Sequence, residues 1–266
     1  MDALFSPEEN CPLRASQQLA NKTLEGQAAS PRQAPISPAW IFWLALSGLA
    51  LGAAFLLDGP VDAAVQLPSH GALRILARWL TTVGDWWPVG LAGLALALFF
   101  FFRSRFKTAR AVLLVTLTGL ATGFTATLLR STIGRARPDA HAPQGFYGLW
   151  HNSHWIIGQY QFSSFPSGHA ATLAGLAAAA WMVNRWAGVG TGLFALMVSW
   201  SRVAQSSHHF SDIVAAGLLG LWLARWLPVW FGAALEPAFC AIEESWRNYL
   251  RSRRPQKNPS LVNAPR

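Results

Sequence analysis

The sequence predicts an all-α fold, a polytopic membrane helical bundle of about six transmembrane helices. Hydrophobic residues make up 52% of the 266-residue chain and charged residues only 12%, about half the charged fraction of a soluble protein. Apolar runs of about 20 residues, the length that crosses a bilayer, recur along the chain. They begin near Trp40, Pro88, Arg110, Gly168, Val189 and Asp212.

A soluble helical protein is the alternative that these runs exclude. Such a protein would need charged faces at helical spacing, whereas residues 168–183 contain no Asp, Glu, Lys or Arg. The first run begins well inside the chain, behind a polar segment, unlike a short cleavable signal peptide. We therefore expect this run to be retained as a helix.

The net charge of +9 is compatible with nucleic-acid binding, but the positions of the basic residues argue against it. They cluster in alternate loops, as expected of cytoplasmic loops in a membrane protein. The clusters are Arg103, Arg105, Lys107 and Arg110, then Arg185, then Arg247, Arg251, Arg253, Arg254 and Lys257. We therefore expect no nucleic-acid partner, an inner (cytoplasmic) membrane location and cytoplasmic termini. The oligomeric state is left open.

Three regions follow from this pattern. Residues 1–38 are polar and without period, which predicts a disordered cytoplasmic N-terminal segment, while residues 39–232 form the six-span domain and residues 233–266 a basic cytoplasmic tail. Within the domain, residues 61–87 are typical of an interfacial amphipathic helix, with a packed loop as the alternative. Residues 130–166 form an outer loop long enough to be a lid or binding loop.

Polar residues concentrate near the ends of the apolar runs. Arg130 ends the third run and His169 begins the fourth, while Arg202 ends the fifth and Asp212 begins the sixth. Because consecutive spans alternate in direction, all these ends lie at one membrane face, the outer one.

The residue types at this face suit a phosphoryl group. Arginines at three positions offer planar, permanently charged donors for phosphate oxygens. These arginines are Arg130, Arg137 and Arg202. Ser167 has the position of a helix N-cap, so the amides of Gly168 and His169 would form an anion site at the positive end of the helix.

Histidines supply the nucleophile and the proton donor that phosphate ester cleavage needs. His208 and Asp212 are four residues apart, so on one helix face the carboxylate would accept one ring N–H and leave the other nitrogen free to attack. His169 would then protonate the leaving alcohol.

The motifs resemble the type 2 phosphatidic acid phosphatase family. They comprise Arg130 and Arg137-Pro138 with six residues between them, Pro-Ser-Gly-His at 166–169, and Ser201-Arg202 followed by His208 and Asp212. Three spaced motifs in the right order make the resemblance specific. With the six-span layout it extends from about residue 40 to about residue 230.

The resemblance implies a membrane lipid phosphatase that acts on a phosphomonoester or diphosphate at the periplasmic face, without a metal or cofactor. It implies that His208 forms a phosphohistidine, that Asp212 orients His208, and that His169 acts as acid and then activates water. The phosphate-holding positions are Arg130, Arg137, Ser167, Gly168 and Arg202. One departure is Arg130, where the family usually has Lys, and the two side chains are not equivalent donors.

Other functions remain open at this point. The same kind of pocket can pass phosphate to a second acceptor, or hold vanadate in haloperoxidases, although the haloperoxidases are soluble. A lipid-binding protein with a vestigial site is a third possibility, disfavoured by the intact histidines and aspartate. Among lipid substrates, the sequence does not choose between phosphatidylglycerol phosphate, phosphatidic acid, polyprenyl diphosphate and a phosphorylated saccharolipid.

The outer loop carries further polar residues with weaker signals. His141, His151 and His154 have a spacing that suggests a metal site, but the loop lacks clear partner ligands and a headgroup-facing lid is the favoured interpretation. We interpret His209 as a pocket wall, and Asp139 either as a brace for one of the neighbouring arginines or as a surface residue.

Overall fold

The computed structural model describes residues 38–253, and within this range helices dominate. They are α1 (Pro38–Val65), α2 (Ala72–Val83), α3 (Trp86–Phe102), α4 (Phe106–Ile133), α5 (Gly168–Val183), α6 (Arg185–Ala204), α7 (Phe210–Ala224) and α8 (Leu227–Ser252). The loop between α4 and α5 holds an antiparallel hairpin, β1 (Trp150–His151) and β2 (His154–Trp155), and a 3₁₀ turn at Tyr160–Phe162.

The predicted helical membrane bundle is confirmed. Two helices are long and apolar enough to cross a bilayer by themselves, α1 over Trp40–Val65 and α4 over Phe106–Ile133. Two bent pairs meet the same criterion jointly, α2 with α3 at 58° and α7 with α8 at 45°. The apolar helix α5 is shorter and α6 has 20 residues, so two to four segments meet this length and composition, and the predicted number of six is compatible with the fold.

Exposed apolar side chains cover the outside of the bundle. On α1, Leu49 is 72% exposed and Leu56 is 83% exposed. Only 6% of the most apolar stretch of this helix is buried. Patches of this extent are not stable against water in a monomer. In a bilayer these side chains face lipid. The first span therefore contributes few buried side chains to the interior of the bundle.

Small residues allow α4 and α5 to approach closely. A methyl group at Gly119 would lie 2.8 Å from both Cβ of Leu176 and the carbonyl oxygen of Thr172. The hydroxyl groups of Thr118 and Thr122, both buried on α4, donate to carbonyls one turn earlier, so they need no partner on another helix. The tight α4–α5 contact fixes the helix start at Gly168 against the end of α4.

Residues 72–83 form an amphipathic helix, not a packed loop. Leu73, Ile75 and Trp79 of α2 are more than half exposed, whereas Ala77 is fully buried. The side-chain amide of Gln205, just after α6, donates to the carbonyl of Ala77 at 3.1 Å. The face of α2 that carries Ala77 is therefore attached to the end of α6, and the apolar side chains of its other face are exposed.

The last helix crosses the expected boundary between membrane domain and tail. α8 continues from Leu227 to Ser252, so the basic tail begins as a helix. Arg110 of α4 donates to Glu236 of α8 at 2.7 Å (Nη1 to Oε1) and joins this helix to the bundle. The predicted disordered segment, residues 1–38, lies outside the described residues except for its last residue.

We expect Gly119→Ala to destabilise the bundle. Alanine gains about 1 kcal/mol of helix propensity, but the clash with α5 costs about 1–3 kcal/mol. Gly192→Ala on α6 is the matched control, because a methyl group there meets nothing within 4 Å. Thermal unfolding in detergent should show a lower Tm for Gly119→Ala only, and an equal or higher Tm for both variants would contradict the packing.

Candidate active site

A left-handed glycine directs the chain from α4 into the site. Gly134 ends the helix with φ of 67°, a conformation that glycine adopts without steric cost. A Cβ at this position would also lie 2.0 Å from the carbonyl oxygen of Gly148. The turn places the next residues, Arg135 and Arg137, inward, where each is less than one-tenth exposed.

His208 is fully buried and has one ring nitrogen engaged. Its Nδ1 lies 2.8 Å from the carbonyl oxygen of Ser164 and 3.5 Å from Oδ2 of Asp212. A carbonyl only accepts, so Nδ1 carries the proton and Nε2 carries the lone pair. The tautomer is therefore set in which Nε2 can act as a nucleophile.

This arrangement corrects one sequence expectation. α7 begins at Phe210, so His208 precedes the helix and does not share a helical face with Asp212. The ring N–H of His208 therefore donates to the carbonyl of Ser164. The carboxylate of Asp212 lies farther from the same ring nitrogen.

Asp212 is fully buried and has a donor on each carboxylate oxygen. Oδ2 accepts from the hydroxyl group of Ser164 at 2.5 Å and from the amide of His209 at 2.8 Å. Oδ1 accepts from Nη1 of Arg135 at 2.5 Å. Charge-assisted bonds of this kind keep a carboxylate ionised in a buried site.

Three buried polar atoms of the predicted site residues have no hydrogen-bond partner within the described chain: Nε2 of His208, Oγ of Ser167 and Nε of Arg202. Buried polar atoms are nearly always partnered, so a set of them marks a place built for a ligand. Ser167 occupies the predicted N-cap position, but its hydroxyl makes no cap bond and stays available.

Two other predicted phosphate residues lie around the same helix start. A Cβ at Gly168 would lie 3.3 Å from Nη1 of Arg130, so the guanidinium group lies against the first turn of α5. Arg137 donates from Nε to the carbonyl of Tyr160 at 2.8 Å and from Nη1 to that of Ser207 at 2.9 Å. Arg137 thus also holds the chain next to His208.

His169 lies on the first turn of α5 and is partly exposed. Its Nε2 lies 3.6 Å from Oδ1 of Asp85, the N-cap residue of α3. The neighbouring amide of Ser167 donates to the carbonyl of Asp212 at 3.3 Å, so the structure brings both histidine segments together.

Burial governs the protonation of the loop groups. The pKa of His208 is lowered to about 3, first by burial and then by the charges of Arg202 and Arg137. The hydrogen bond with Asp212 acts in the opposite direction and raises it. Burial likewise lowers the pKa of Arg137, against the opposing effects of Tyr160 and Asp139. His208 is therefore neutral near neutral pH.

Several residues of the site escaped the sequence analysis. They are Ser164, Arg135, Asp58, Asp62 and Asp85. A signal existed for Asp58 and Asp62, because carboxylates four residues apart at the end of an apolar run are costly and usually functional. Ser164 gave no signal, since its carbonyl and hydroxyl act through contacts with residues far along the chain.

The outer-loop residues take structural positions. His151 packs edge-on against Tyr147, with ring centroids 4.4 Å apart, and His154 contacts the carbonyl of Asn152. The described residues contain no group of His, Cys, Asp and Glu arranged for a metal ion. Asp139 accepts from Tyr160 at 3.4 Å, and no hydrogen bond joins it to either neighbouring arginine within the described range.

His209 contacts Asp62 of α1 through Nδ1 at 2.7 Å, and its Nε2 lies 3.3 Å from the carbonyl oxygen of Ala136. Both ring nitrogens are engaged, which fits the expected pocket wall and leaves neither free to act as a second nucleophile.

Comparison with known proteins agrees with the motifs. Residues 110–236 match the PAP2 superfamily model. The lipid A 1-phosphatase of Rhizobium etli is 31% identical over 182 residues, which cover 64% of this chain and 75% of that protein. The lipid A 1-phosphatase of Rhizobium johnstonii is 30% identical, with 64% and 71% covered.

Two solved structures are also similar. A transmembrane PAP2-type phosphatidylglycerolphosphate phosphatase from Bacillus subtilis is 25% identical with a TM-score of 0.49, covering 72% of this chain and 92% of that chain. Aquifex aeolicus LpxE is 17% identical with a TM-score of 0.43, covering 64% and 94%. The family model and the Rhizobium relatives confirm the resemblance read from the motifs, and the chain belongs to the PAP2 superfamily.

Proposed function

We propose that this membrane protein hydrolyses the phosphate ester of a membrane lipid through a phosphohistidine on His208. The observation that carries the proposal is the unpartnered Nε2 of His208, buried beside an ionised Asp212 and a set of arginines. Nucleophile, orienting carboxylate and anion donors at one site are the components that covalent phosphoryl transfer requires.

In the first step, Nε2 of His208 attacks phosphorus and the bond to the lipid oxygen breaks. His169 gives its proton to the departing oxygen. The imidazole of His208 becomes cationic as the P–N bond forms, and the carbonyl of Ser164 and the carboxylate of Asp212 stabilise that charge. Arg130, Arg202 and the first amides of α5 hold the phosphoryl oxygens.

In the second step, His169 removes a proton from a water molecule as the water attacks phosphorus. The P–N bond breaks, inorganic phosphate leaves and His208 returns to its neutral form. Every step is a proton or phosphoryl transfer among the lipid, water and the side chains of this site, so the proposal includes no metal and no cofactor.

We propose the 1-phosphate of lipid A as the substrate. The Rhizobium relatives at 30% and 31% identity are named lipid A 1-phosphatases, and a phosphorylated saccharolipid is among the substrates compatible with the motifs. Exposed aromatics on the outer loop, Trp150, Trp155 and Tyr160, suit contact with a sugar headgroup at the membrane surface. The alternating basic loops support a periplasmic site with cytoplasmic termini.

We expect His208→Asn to reduce turnover by about four orders of magnitude, as loss of a catalytic triad member does. Asparagine keeps a donor for the carbonyl of Ser164 but has no nucleophilic nitrogen. Phosphate release in detergent and labelling of the phosphoenzyme measure the effect, with His154→Asn on the exposed loop as the control. Wild-type turnover in His208→Asn would overturn the proposed nucleophile.

The depressed pKa of His208 predicts that acid weakens the fold. In the folded protein the imidazole of His208 stays unprotonated down to about pH 3. In the unfolded protein the same imidazole binds a proton below about pH 6.5. Between these values the unfolded state binds more protons, so stability falls as pH falls. Near pH 5 the loss is roughly 2 kcal/mol, at 1.36 kcal/mol per pKa unit.

This loss is measured as the fall in Tm between about pH 7.5 and about pH 5, a range set by the unperturbed His value. The fall should be smaller in His208→Asn than in wild type, and unchanged in His141→Asn, which removes an exposed histidine. Equal falls in all three proteins would contradict a neutral buried His208.

The substrate proposal is tested with a panel of lipids in detergent, with and without a chelator. We expect phosphate release from the 1-position of lipid A, slower release from phosphatidic acid and phosphatidylglycerol phosphate, and no loss of activity in the chelator. Activity that disappears in the chelator would contradict the metal-free mechanism. Phosphate that appears on an added lipid or alcohol, and not in solution, would show a phosphotransferase.

A further inference from the structure

Arg135 is a buried arginine near the proposed nucleophile, and the proposed mechanism gives it no role. Arg135 is 7% exposed, and its guanidinium group lies 5.0 Å from the ring of Phe55 and 5.2 Å from that of Phe146. Its nitrogens are engaged by carboxylates: Nη1 donates to Asp212 at 2.5 Å and Nη2 to Asp58 at 2.7 Å. Both terminal nitrogens of Arg135 thus bind carboxylates.

We infer that Arg135, held by Asp58 of α1, is a positioning residue for Asp212 and through it for His208. The inference rests on the proposed function and deepens it. Asp212 is oriented by donors on both oxygens, and Arg135 is the donor on Oδ1. Without that bond the carboxylate is free to rotate away from the His208 ring.

Asp58 holds Arg135 and Ser211 in place. It also decides the net charge of the group formed by Arg135 and the two carboxylates. Its Oδ1 accepts from the amide of Ser211 at 2.7 Å, and its Oδ2 accepts from the hydroxyl of the same residue at 2.7 Å. That hydroxyl in turn accepts from Arg135 at 2.6 Å. Two carboxylates around one guanidinium leave one net negative charge, which matches the positive charge that His208 gains as the phosphohistidine forms.

A second carboxylate of α1 supports the same helix start. Asp62 accepts from the amide of Phe210 at 3.2 Å and contacts Nδ1 of His209 at 2.7 Å. Asp58 and Asp62 thus cap the first turn of α7, where amides have no partner within the helix. The family match begins at residue 110, so this α1 contribution lies outside the matched region.

The test is a double-mutant cycle on the steady-state kinetics of lipid phosphate hydrolysis. Arg135→Gln should lower kcat about 10- to 100-fold, as loss of a residue that orients a functional side chain does, and leave KM unchanged. Arg135→Lys should recover only part of this loss, because one ammonium group does not bridge two carboxylates. Arg78→Gln, an exposed arginine on α2, is the control and should match wild type.

The decisive comparison repeats Arg135→Gln in an Asp212→Asn background. If Arg135 acts through Asp212, the added loss in kcat disappears there. An equal fold-loss in both backgrounds overturns the inference, as does a raised KM with unchanged kcat, which would make Arg135 a phosphate ligand. Asp58→Asn keeps the shape of its site and provides the same comparison if Arg135→Gln folds poorly.

Parallel measurement of His208→Asn separates the two proposals. If His208→Asn is inactive and the cycle is additive, only the role of Arg135 is wrong. If His208→Asn turns over at the wild-type rate, the proposed function fails and the inference about Arg135 falls with it.

Discussion

The site depends on one buried charge, the carboxylate of Asp212. A carboxylate taken out of water without partners costs many kcal/mol, and this one is fully buried. Its donors come from distant segments: Ser164 before α5, Arg135 after α4 and the amide of His209 before α7. Keeping Asp212 ionised therefore requires these segments to be assembled together, and that assembly also places His208.

The polar groups of the site are gathered at one end of the bundle, where α4 ends and α5 begins. Glycine contacts bring α4 against α5, so that the end of one helix and the start of the next meet at Arg130 and Gly168. The helix start then offers its amides to an anion, in a region where arginines supply the compensating charge. Packing within the membrane and charge at its surface are thus joined by the same pair of helices.

The first helix combines two tasks that are usually separate in a membrane protein. Most of α1 faces lipid, with side chains such as Leu56 exposed, yet its last two turns carry carboxylates that cap α7. The capping bonds need α1 to end at the depth of the site. This couples the position of the first span to the geometry at the start of α7.

The sequence by itself determined the helical membrane bundle, the positions of its apolar segments and the common face of Arg130, His169, Arg202 and Asp212. Hydropathy is a property of each single segment, and the alternating direction of the spans follows from their order. Both can therefore be determined from the sequence without knowing how the helices pack. Residue types then indicated phosphate chemistry. The assignment of each role to a residue remains a proposal, supported by the geometry of the site.

Only the tertiary structure decided which atoms are paired. The ring N–H of His208 goes first to Ser164, the hydroxyl of Ser167 is left without its expected cap bond, and Arg135 rather than Arg137 contacts Asp212. The two bonds formed join residues 44 and 77 positions apart. Such pairings depend on how the helices pack and on where each helix starts.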